Sequence, residues 1–355
     1  MIYLDNIIFS LQKSGGISSV WYEHIKRLLR DGRKTKFIEY PSAQSNLFRS
    51  EIEIPNEQIE AKSDKYLSFK RYLNPSITEY NPFIFHSSYY RTSSAKNAVN
   101  ITTVHDFTYE YFSHGLARNI HCWQKYKAIR NSDFIICISE NTKNDLLKFL
   151  PDVDKRKIRV IHNGVSEDYY KIQDSKALNI EKGNFAVFVG ARDGYKNFAL
   201  AVEAIAETTL QLKIVGPPLN DSEKQFLKTK FGDNRYQYVG RVTNNELNKL
   251  YNSAFCLLYP SSYEGFGIPV IEAQKAGCPV IAANQSSIPE IIGDKSLLIN
   301  SLTAKNIIEK INLLKNSSIR DELITAGLDN SKRFSWDNTF SATLDVYHEA
   351  ENLIY

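Results

Sequence analysis

The stretch that decides the fold is residues 259–290, YPSSYEGFGIPVIEAQKAGCPVIAANQSSIPE. The apolar run Phe255–Tyr259 predicts a strand, and the strand leads into a glycine-containing loop with one carboxylate, Glu264. Pro269 suits the first turn of a helix, and that helix carries a second carboxylate, Glu272. Because a helix N-terminus attracts anions, the pattern predicts a site where amides meet phosphate and carboxylates accept hydroxyl groups. A nucleotide sugar carries both of these groups.

The same stretch carries a family signature. Two glutamates spaced as Glu264 and Glu272 around Gly-Phe-Gly, followed by a small-residue strand and Pro289-Glu290, resemble the retaining GT-B glycosyltransferases of family 4. This is the glycosyl transferases group 1 superfamily, and the bacterial surface-polysaccharide type is the nearest in style. The resemblance implies that Glu272 accepts the ribose hydroxyls and that Glu264 grips the sugar together with the loop residues Gly265, Phe266, Gly267 and Ile268. Taken alone, Glu272 is equally typical of a carboxylate favoured by a helix dipole.

Strands and helices alternate along the chain, which is typical of parallel sheets. The first set of strands is predicted at Met1–Phe9, Phe37–Tyr40, Phe83–Phe85, Ile101–Val104, Phe134–Ile138 and Ile158–Ile161. The second set is predicted at Phe185–Val189, Leu212–Val215, Tyr236–Val239, Phe255–Tyr259, Pro279–Ala282 and Ser296–Ile299. The predicted fold class is therefore α/β, with two doubly wound Rossmann-like domains. The resemblance implies the GT-B arrangement, in which the two domains face a central cleft.

The domain boundaries follow from the composition between these two sets. Residues 166–183 are charged and poor in apolar side chains, so they are predicted to link the domains. An N-terminal domain is predicted over 1–165 and a C-terminal domain over 166–335. By resemblance the first binds the acceptor and the second the nucleotide sugar, and the helical tail 336–355 crosses back onto the first.

Charge is distributed unevenly along the 355 residues. Residues 1–165 hold 24 Lys and Arg against 17 Asp and Glu, whereas the remainder holds 20 against 23. A basic half favours an anionic partner. Nucleic acid is not expected, because the sequence has no zinc spacing or RNA-binding signature. A membrane surface or a lipid-diphosphate acceptor fits better.

The basic residues concentrate in one place. Lys26, Arg27, Arg30, Arg33, Lys34 and Lys36 lie in and just after a predicted amphipathic helix, Ile17–Leu29, beside Trp21 and Tyr22. They predict a peripheral membrane contact, and the alternative is a solvated helix face. No apolar run approaches the roughly 18 residues of a membrane span, and Asp5 interrupts a signal-peptide pattern. We therefore expect a cytoplasmic protein that is peripheral at the inner face of the membrane.

Two further motifs fall in the first half of the chain. Gly15 and Gly16 stand between the first strand and the first helix, where a plain turn is the alternative to a ligand site. His105 and Asp106 follow the strand Ile101–Val104, where a helix cap is the alternative. The resemblance implies that the glycine loop faces the donor phosphates and acceptor, and that His105 lies against the transferring sugar.

In the second half, loops after strands supply the remaining candidates. Arg192 and Lys196 follow a strand, where fixed cations can stabilise a departing nucleoside diphosphate, although loop cations are often only surface charge. The resemblance implies this role for them and makes Lys196 the safer assignment. It also places Gly190, Gly216 and Arg241 at the donor, with Arg241 near the nucleobase.

The predicted function is therefore retaining transfer of a hexose, with mannose the first candidate, from a nucleoside-diphosphate sugar. The acceptor is an oligosaccharide or lipid-linked saccharide of O-antigen or capsule synthesis. No cofactor and no metal ion are expected, since the cations can take a metal's place. The alternatives are a GT-B sugar-nucleotide epimerase, a phosphorylase and a non-catalytic subunit that binds nucleotide sugar as a scaffold.

Overall fold

The computed structural model describes residues 1–173, 183–192, 194–232 and 234–354. The chain divides into two compact units, Met1–Asn163 with Trp336–Tyr355 (unit 1) and Gly164–Ser335 (unit 2). The predicted boundary at residue 165 lies two residues beyond the observed one at residue 163. Of the predicted linker 166–183, residues 174–182 lie outside the described residues, as does Tyr355 of the tail.

Unit 1 is built on a parallel sheet of seven strands in the order β3-β2-β1-β4-β5-β6-β7. These are β1 (Ile2–Asp5), β2 (Thr35–Glu39), β3 (Ile59–Ala61), β4 (Phe83–Ser87), β5 (Ala98–Val104), β6 (Phe134–Cys137) and β7 (Ile158–Val160). Its helices up to residue 163 are α1 (Ile7–Leu11), α2 (Gly16–Asp31), α3 (Leu67–Lys70), α4 (Thr108–Phe112), α5 (Gly115–Arg130) and α6 (Glu140–Phe149). Strands β1 and β4 are buried along their whole length, which explains the apolar residues with which each begins.

Unit 2 repeats the plan with six parallel strands in the order β10-β9-β8-β11-β12-β13. These are β8 (Phe185–Val189), β9 (Gln211–Val215), β10 (Tyr236–Gly240), β11 (Cys256–Tyr259), β12 (Val280–Ala283) and β13 (Leu298–Ile299). The helices are α7 (Phe198–Ala206), α8 (Asp221–Phe231), α9 (Asn244–Ser253), α10 (Ile268–Lys275), α11 (Ile288–Ile291), α12 (Ala304–Leu313) and α13 (Ser317–Ser331). The last helix, α14 (Trp336–Glu351), belongs to unit 1 and packs on α2.

Both sheets reverse their strand order at one point. In unit 1, β1 pairs on one side with β2 and on the other with β4. In unit 2, β8 pairs with β9 and with β11. A doubly wound sheet binds its ligands outside the carboxyl ends of the strands at this reversal. The strand order therefore predicts ligand sites at the loops after β1, β4, β8 and β11.

The prediction of two doubly wound parallel α/β units is confirmed, with two local corrections. The predicted strand Met1–Phe9 is wrong beyond Asp5, because α1 begins at Ile7 and buries Ile8 and Phe9 against the sheet. The short edge strand β3 was not predicted, since its residues are only half-buried or exposed and carry no apolar run.

Candidate functional site

The loops after β8 and β11 are tied together at the strand reversal of unit 2. Asn197 adopts a left-handed conformation with φ 52°, which asparagine tolerates better than most residues. Its side-chain amide donates to the Pro260 carbonyl at 2.8 Å and to the Ser262 hydroxyl at 2.7 Å. The Ser262 N–H donates to the Tyr195 carbonyl at 2.7 Å. These bonds fix the two loops against each other.

The same contact joins two of the predicted site residues. Lys196 Nζ lies 2.5 Å from Glu264 Oε1, and both side chains are partly accessible to solvent. Tyr259, the last residue of β11, donates its hydroxyl hydrogen bond to the Glu264 carboxylate. Burial, and then the negative charge of Glu264, raise the pKa of Tyr259 well above its usual range, so it stays a donor. Unit 2 thus presents a lysine, a carboxylate and a phenol at one strand end.

Glu264 is also held through its backbone. Its N–H donates to the Ser286 hydroxyl at 3.0 Å, and the Ser287 hydroxyl donates to its carbonyl at 3.0 Å. The Ser287 hydroxyl also lies 2.7 Å from the Phe266 carbonyl. The loop after β12 therefore holds the glycine loop at both ends. Neither serine was predicted, although the sequence places both just ahead of Pro289.

The glycine loop itself is explained in part by packing. Gly267 has φ 104°, and a Cβ there would lie 2.8 Å from Ile288 Cδ1. The Phe266 side chain is buried and packs edge-to-face on Phe334 with ring centroids 5.8 Å apart. Its side chain therefore belongs to the core and does not face a ligand site. Gly265 and Ile268 are half-buried, and Ile268 is the first residue of α10.

Glu272 lies in the second turn of α10 beside two tyrosines. The Tyr251 hydroxyl donates to Glu272 Oε2 at 3.3 Å, and Tyr169 also hydrogen-bonds the carboxylate. Burial raises the pKa of Glu272 to about 7, against the lowering effect of these hydrogen bonds. Any further hydrogen-bond donor would stabilise the ionised form of this buried carboxylate. Neither tyrosine was predicted, because Tyr169 and Tyr251 are distant from α10 in sequence.

Arg192 points toward a different neighbour from Lys196. Its Nε donates to Glu223 Oε1 at 2.7 Å, and Nη2 donates to the Pro218 carbonyl at 2.7 Å. Glu223 also closes the capping box of α8 with Asn220, a spacing visible in the sequence. Among the described residues, Arg192 Nη1 is buried with no hydrogen-bond partner. The structure thus fixes Arg192 through α8, while Lys196 is fixed through Glu264.

Three strand ends of unit 2 form a glycine row. Gly216 N donates to the Gly240 carbonyl at 2.9 Å, and Gly190 N donates to the Val215 carbonyl at 3.0 Å. A Cβ on Gly216 would lie 2.3 Å from the Gly190 carbonyl oxygen, so only glycine fits there. Tyr238 lies over this row, and its hydroxyl donates to the Gly216 carbonyl at 3.2 Å. Arg241 is exposed in the turn after β10.

Unit 1 has a small pocket of about 40 Å³ that is lined mostly by apolar groups. Its lining includes Ile17, Trp21, His24, His86, His105 and Phe340. Gly15 caps α2 just beside Ile17, and a Cβ on Gly16 would meet open space. Asp106 Oδ1 accepts the Thr108 N–H at 2.9 Å, although Phe107 and not Asp106 is the N-cap of α4. Of the predicted unit 1 residues, only His105 lines the pocket directly.

The histidines of this pocket are uncharged near neutral pH. Burial lowers the pKa of His105 to about 4, and the neighbouring Lys125 adds to the shift while Asp106 opposes it. His24 and His86 share the Tyr347 hydroxyl, each at 2.7 Å. Burial lowers the pKa of His24 to about 4 and that of His86 well below its usual value. A neutral pocket of this kind suits an uncharged or weakly polar group.

No group of three or more His, Cys, Asp or Glu is arranged to hold a metal ion within residues 1–173, 183–192, 194–232 and 234–354. In the same ranges, no helix is long and apolar enough to cross a membrane.

Comparisons with known proteins agree with this geometry. The family described as Glycosyltransferase Family 4 matches residues 14–169, and that described as Glycosyl transferases group 1 matches residues 171–328. An uncharacterized glycosyltransferase of Methanocaldococcus jannaschii is 30% identical over 225 residues, which cover 62% of this chain and 61% of that protein. The chain therefore spans less than two thirds of that relative's length.

Two other similarities extend over more of the chain. The O-antigen chain mannosyltransferase B of Escherichia coli is 24% identical, with 77% of this chain and 76% of that protein covered. The solved structure of Anabaena HepE in complex with UDP and glucose superposes with a TM-score of 0.74. That match is 16% identical and covers 98% of this chain and 100% of the Anabaena chain, so it shows the fold alone.

Proposed function

We propose that this chain, which belongs to the GT-B glycosyltransferases of group 1 and family 4, transfers a hexose from a nucleoside-diphosphate sugar to a saccharide acceptor. One observation carries the proposal. Lys196 and Glu264 lie 2.5 Å apart at the strand reversal of unit 2, where a doubly wound sheet binds its ligand. A cation and a carboxylate at this point match a donor that combines a diphosphate with sugar hydroxyls.

The ion pair is the resting state of this site. When the donor binds, its diphosphate attracts the Lys196 ammonium, and Glu264 becomes free to accept hydroxyl groups of the sugar. Glu272 accepts the ribose hydroxyls, whose donors compensate the buried carboxylate. The free Nη1 of Arg192 adds a second cationic donor beside the glycine row. Tyr238 and Arg241 flank the position for the nucleobase.

Transfer proceeds with retention and without a metal ion. The bond from the anomeric carbon to the diphosphate breaks while the acceptor oxygen attacks from the same face. The departing diphosphate takes the acceptor's proton. Negative charge grows on the leaving group, so Lys196 stabilises the transition state more than the ground state. His105 is neutral at this pH and does not repel the positive charge that develops on the sugar.

The acceptor is an oligosaccharide or lipid-linked saccharide of a bacterial surface polysaccharide. The apolar pocket of unit 1, with Ile17 and His105 in its lining, is the proposed place for part of it. Mannose is the first candidate for the transferred hexose, because a relative is named an O-antigen chain mannosyltransferase. The Anabaena structure of the same fold is a complex with UDP and glucose, which supports a nucleoside-diphosphate donor here.

The experiment has two steps. Thermal-shift measurements with a panel of nucleoside diphosphates and their sugars should identify the base and then the sugar that stabilise the protein. The preferred α-linked donor is then incubated with extracted acceptor lipids in EDTA, and the product linkage is read by NMR. We expect an α-linked product. A β-linked product would contradict retention, and strict dependence on magnesium or manganese would contradict the metal-free role of Lys196.

The same mixtures separate the alternative activities. A sugar isomer that forms without acceptor indicates an epimerase, and cleavage that needs inorganic phosphate indicates a phosphorylase. Donor binding with no turnover in any mixture indicates a scaffold.

A further inference from the structure

Helix α5 of unit 1 exposes three large apolar side chains, although it also buries Cys122, Ala128 and Ile129. Leu116 is 75% exposed, Ile120 is 37% exposed and Trp123 is 55% exposed. Their spacing of four and three residues places them on one face of the helix. On the opposite side Lys125 is buried, and Gln124 is buried at the edge of the exposed face. The solvent-facing side of a helix in a soluble domain is normally polar, so this face is adapted to something other than water.

The burial of Lys125 is fully compensated inside unit 1. Its ammonium donates to Glu110 Oε2 at 2.8 Å and to the Asp106 carbonyl at 2.9 Å. It also lies 4.6 Å from the centroid of the Phe107 ring. These contacts fix the rotation of α5 about its own axis. The exposed face is therefore a built feature of the fold.

Neighbouring segments extend the apolar surface. In α4, Tyr109 and Phe112 are exposed just before α5. The Gln124 side chain donates to the Arg71 carbonyl at 2.6 Å, which holds the α3 segment beside α5. That segment exposes Tyr66, Phe69 and Leu73. We call these eight side chains the α3–α5 patch: Tyr66, Phe69, Leu73, Tyr109, Phe112, Leu116, Ile120 and Trp123.

The two segments that carry the α3–α5 patch contain more cations than anions. In residues 111–130 Lys125 is buried and Arg130 pairs with the exposed Asp152, which leaves Arg118 and Lys127; residues 65–73 contain three Lys or Arg and no acidic residue. Lys127 is exposed and lies 5.1 Å from the centroid of the Trp123 ring. Aromatic side chains bordered by cations are typical of surfaces that lie at the headgroups of an anionic bilayer.

The basic surface predicted from the sequence on α2 is less suitable. Trp21 is buried in the core and donates to Asn6 Oδ1, so it cannot insert into lipid. Arg27 pairs with Glu23 and Asp337, and Arg33 pairs with Asp31 and Glu351. Of the six cations, only Arg30 and Lys34 are exposed. The α2 surface has charge but no exposed apolar partner for it.

We infer that the α3–α5 patch is a membrane-binding surface, which rests on an anionic bilayer with Leu116, Ile120 and Trp123 in the interfacial layer. This extends the proposed lipid-linked acceptor, because an enzyme held at the bilayer meets such an acceptor at its own surface. Binding to vesicles does not depend on donor or acceptor. Its failure can therefore be distinguished from failure of the proposed transfer reaction.

Tryptophan fluorescence reads this surface directly. The chain has three tryptophans, and Trp21 and Trp336 are buried, so Trp123 is the one exposed to solvent. The full chain is titrated with vesicles of phosphatidylcholine alone or with phosphatidylglycerol. We expect a blue shift and quenching by brominated acyl chains with the anionic vesicles, and a smaller response at high salt. Flotation without a blue shift would overturn the proposal.

Three charge-matched double variants assign the surface, since each lowers the net charge by two. Leu116→Glu with Ile120→Glu should weaken vesicle binding by roughly tenfold or more while Trp123 remains as the reporter. Leu47→Glu with Leu353→Glu alters two side chains that are each 63% exposed in unit 1, and it should bind within about threefold of the parent. Arg30→Ala with Lys34→Ala tests α2 and should also retain most binding.

Circular dichroism checks that each variant is folded, and exposed sites should permit this. Loss of binding in the α2 variant with retention in the α5 variant would overturn the assignment to the α3–α5 patch. No flotation of the parent with anionic vesicles would overturn membrane binding. A parent that forms dimers which only the α5 variant abolishes, without flotation, would show instead that this face binds a second copy.

Discussion

At the carboxyl ends of its strands, unit 1 buries charged side chains in ion pairs, whereas unit 2 leaves its Lys196–Glu264 pair partly exposed. Asp5 at the end of β1 accepts from Arg91 Nε at 2.7 Å, and both side chains are at most 1% exposed. Glu39 at the end of β2 is bound in the same manner by Arg49. A charged residue at a strand end is therefore not in itself a ligand site. Accessibility separates the charges that hold the fold from those that can meet a substrate.

The two units also differ in how protons affect them. In unit 1, burial is the largest cause that lowers the pKa of His24, His105 and His121, each to about 4. In unit 2, burial raises the pKa of Glu272 to about 7. Below pH 6.5 an unfolded unit 1 takes up protons that the folded unit refuses, so acid destabilises it. The contribution of Glu272 to stability depends on pH with the opposite sign. Above pH 4.5 the unfolded chain releases a proton that the folded chain still holds on Glu272, so this contribution falls as the pH rises.

The largest expected effect is that acid lowers the stability of unit 1 more than that of unit 2. As the pH falls from 6.5 to 4, unit 1 should lose stability, whereas the contribution of Glu272 to the stability of unit 2 should become more favourable. Hydrogen exchange at pH 7 and pH 5, corrected for intrinsic rates and read by mass spectrometry, follows peptides of β4 and β5 against peptides of β8 and β11. We expect β4 and β5 to lose protection first. Equal loss in both sets would contradict the separate titration of the two units.

Arg91→Met tests whether the buried pair of unit 1 holds the fold. Removal of the guanidinium leaves the Asp5 carboxylate buried without compensation, which should reduce the free energy of unfolding by about 3 to 5 kcal/mol. Urea denaturation gives the value. Lys196→Met is the matched control, since its pair is partly exposed and should change stability by about 1 kcal/mol or less. Similar losses in both variants would remove the distinction between the pairs.

Lys196→Met should have its main effect on turnover. The charge that Lys196 meets grows in the transition state, so kcat should fall by about 10²- to 10³-fold while donor affinity changes much less. Steady-state kinetics with the preferred donor and acceptor separates the two. Lys224→Met, at an exposed pair with Asp221 in the same unit, is the control and should be indistinguishable from the parent. Equal losses in kcat and affinity would make Lys196 a binding residue only.

Glu272→Gln should increase the stability of the protein and weaken its binding of nucleoside diphosphate. The variant removes the cost of a buried carboxylate, so at pH 8 it should be more stable than the parent by up to about 3 kcal/mol, with no difference near pH 4.5. It should also weaken nucleoside diphosphate binding by about 1 to 3 kcal/mol, since the ribose loses a charged acceptor. Thermal denaturation measures the change in stability, and calorimetry measures the change in nucleoside diphosphate affinity. Unchanged affinity in a folded variant would remove Glu272 from the ribose site.

The sequence predicted the features of the fold and of the site that depend on local pattern. Alternating apolar runs predicted the two parallel sheets, and the spacing of Glu264 and Glu272 around the glycines predicted the loop and helix that carry them. Local pattern failed at β1, where the apolar run continues from the strand into α1 and periodicity cannot separate them.

Long-range partners could not be predicted. Tyr169, Tyr251 and Tyr259 surround the glutamates from three elements, and no spacing in the sequence relates them. Arg192 was grouped with Lys196 by proximity in sequence, yet its contacts are with Glu223 and Pro218. The exposed face of α5 also escaped prediction, because a helix with apolar residues on two faces has no clear amphipathic period.

A crystal structure with the preferred nucleoside diphosphate tests whether Lys196 and Glu272 bind the donor. We expect the β-phosphate within hydrogen-bond distance of Lys196 Nζ, which has moved away from Glu264 Oε1, and the ribose hydroxyls on Glu272. A diphosphate bound away from the loops after β8 and β11, with the Lys196–Glu264 pair intact, would contradict it.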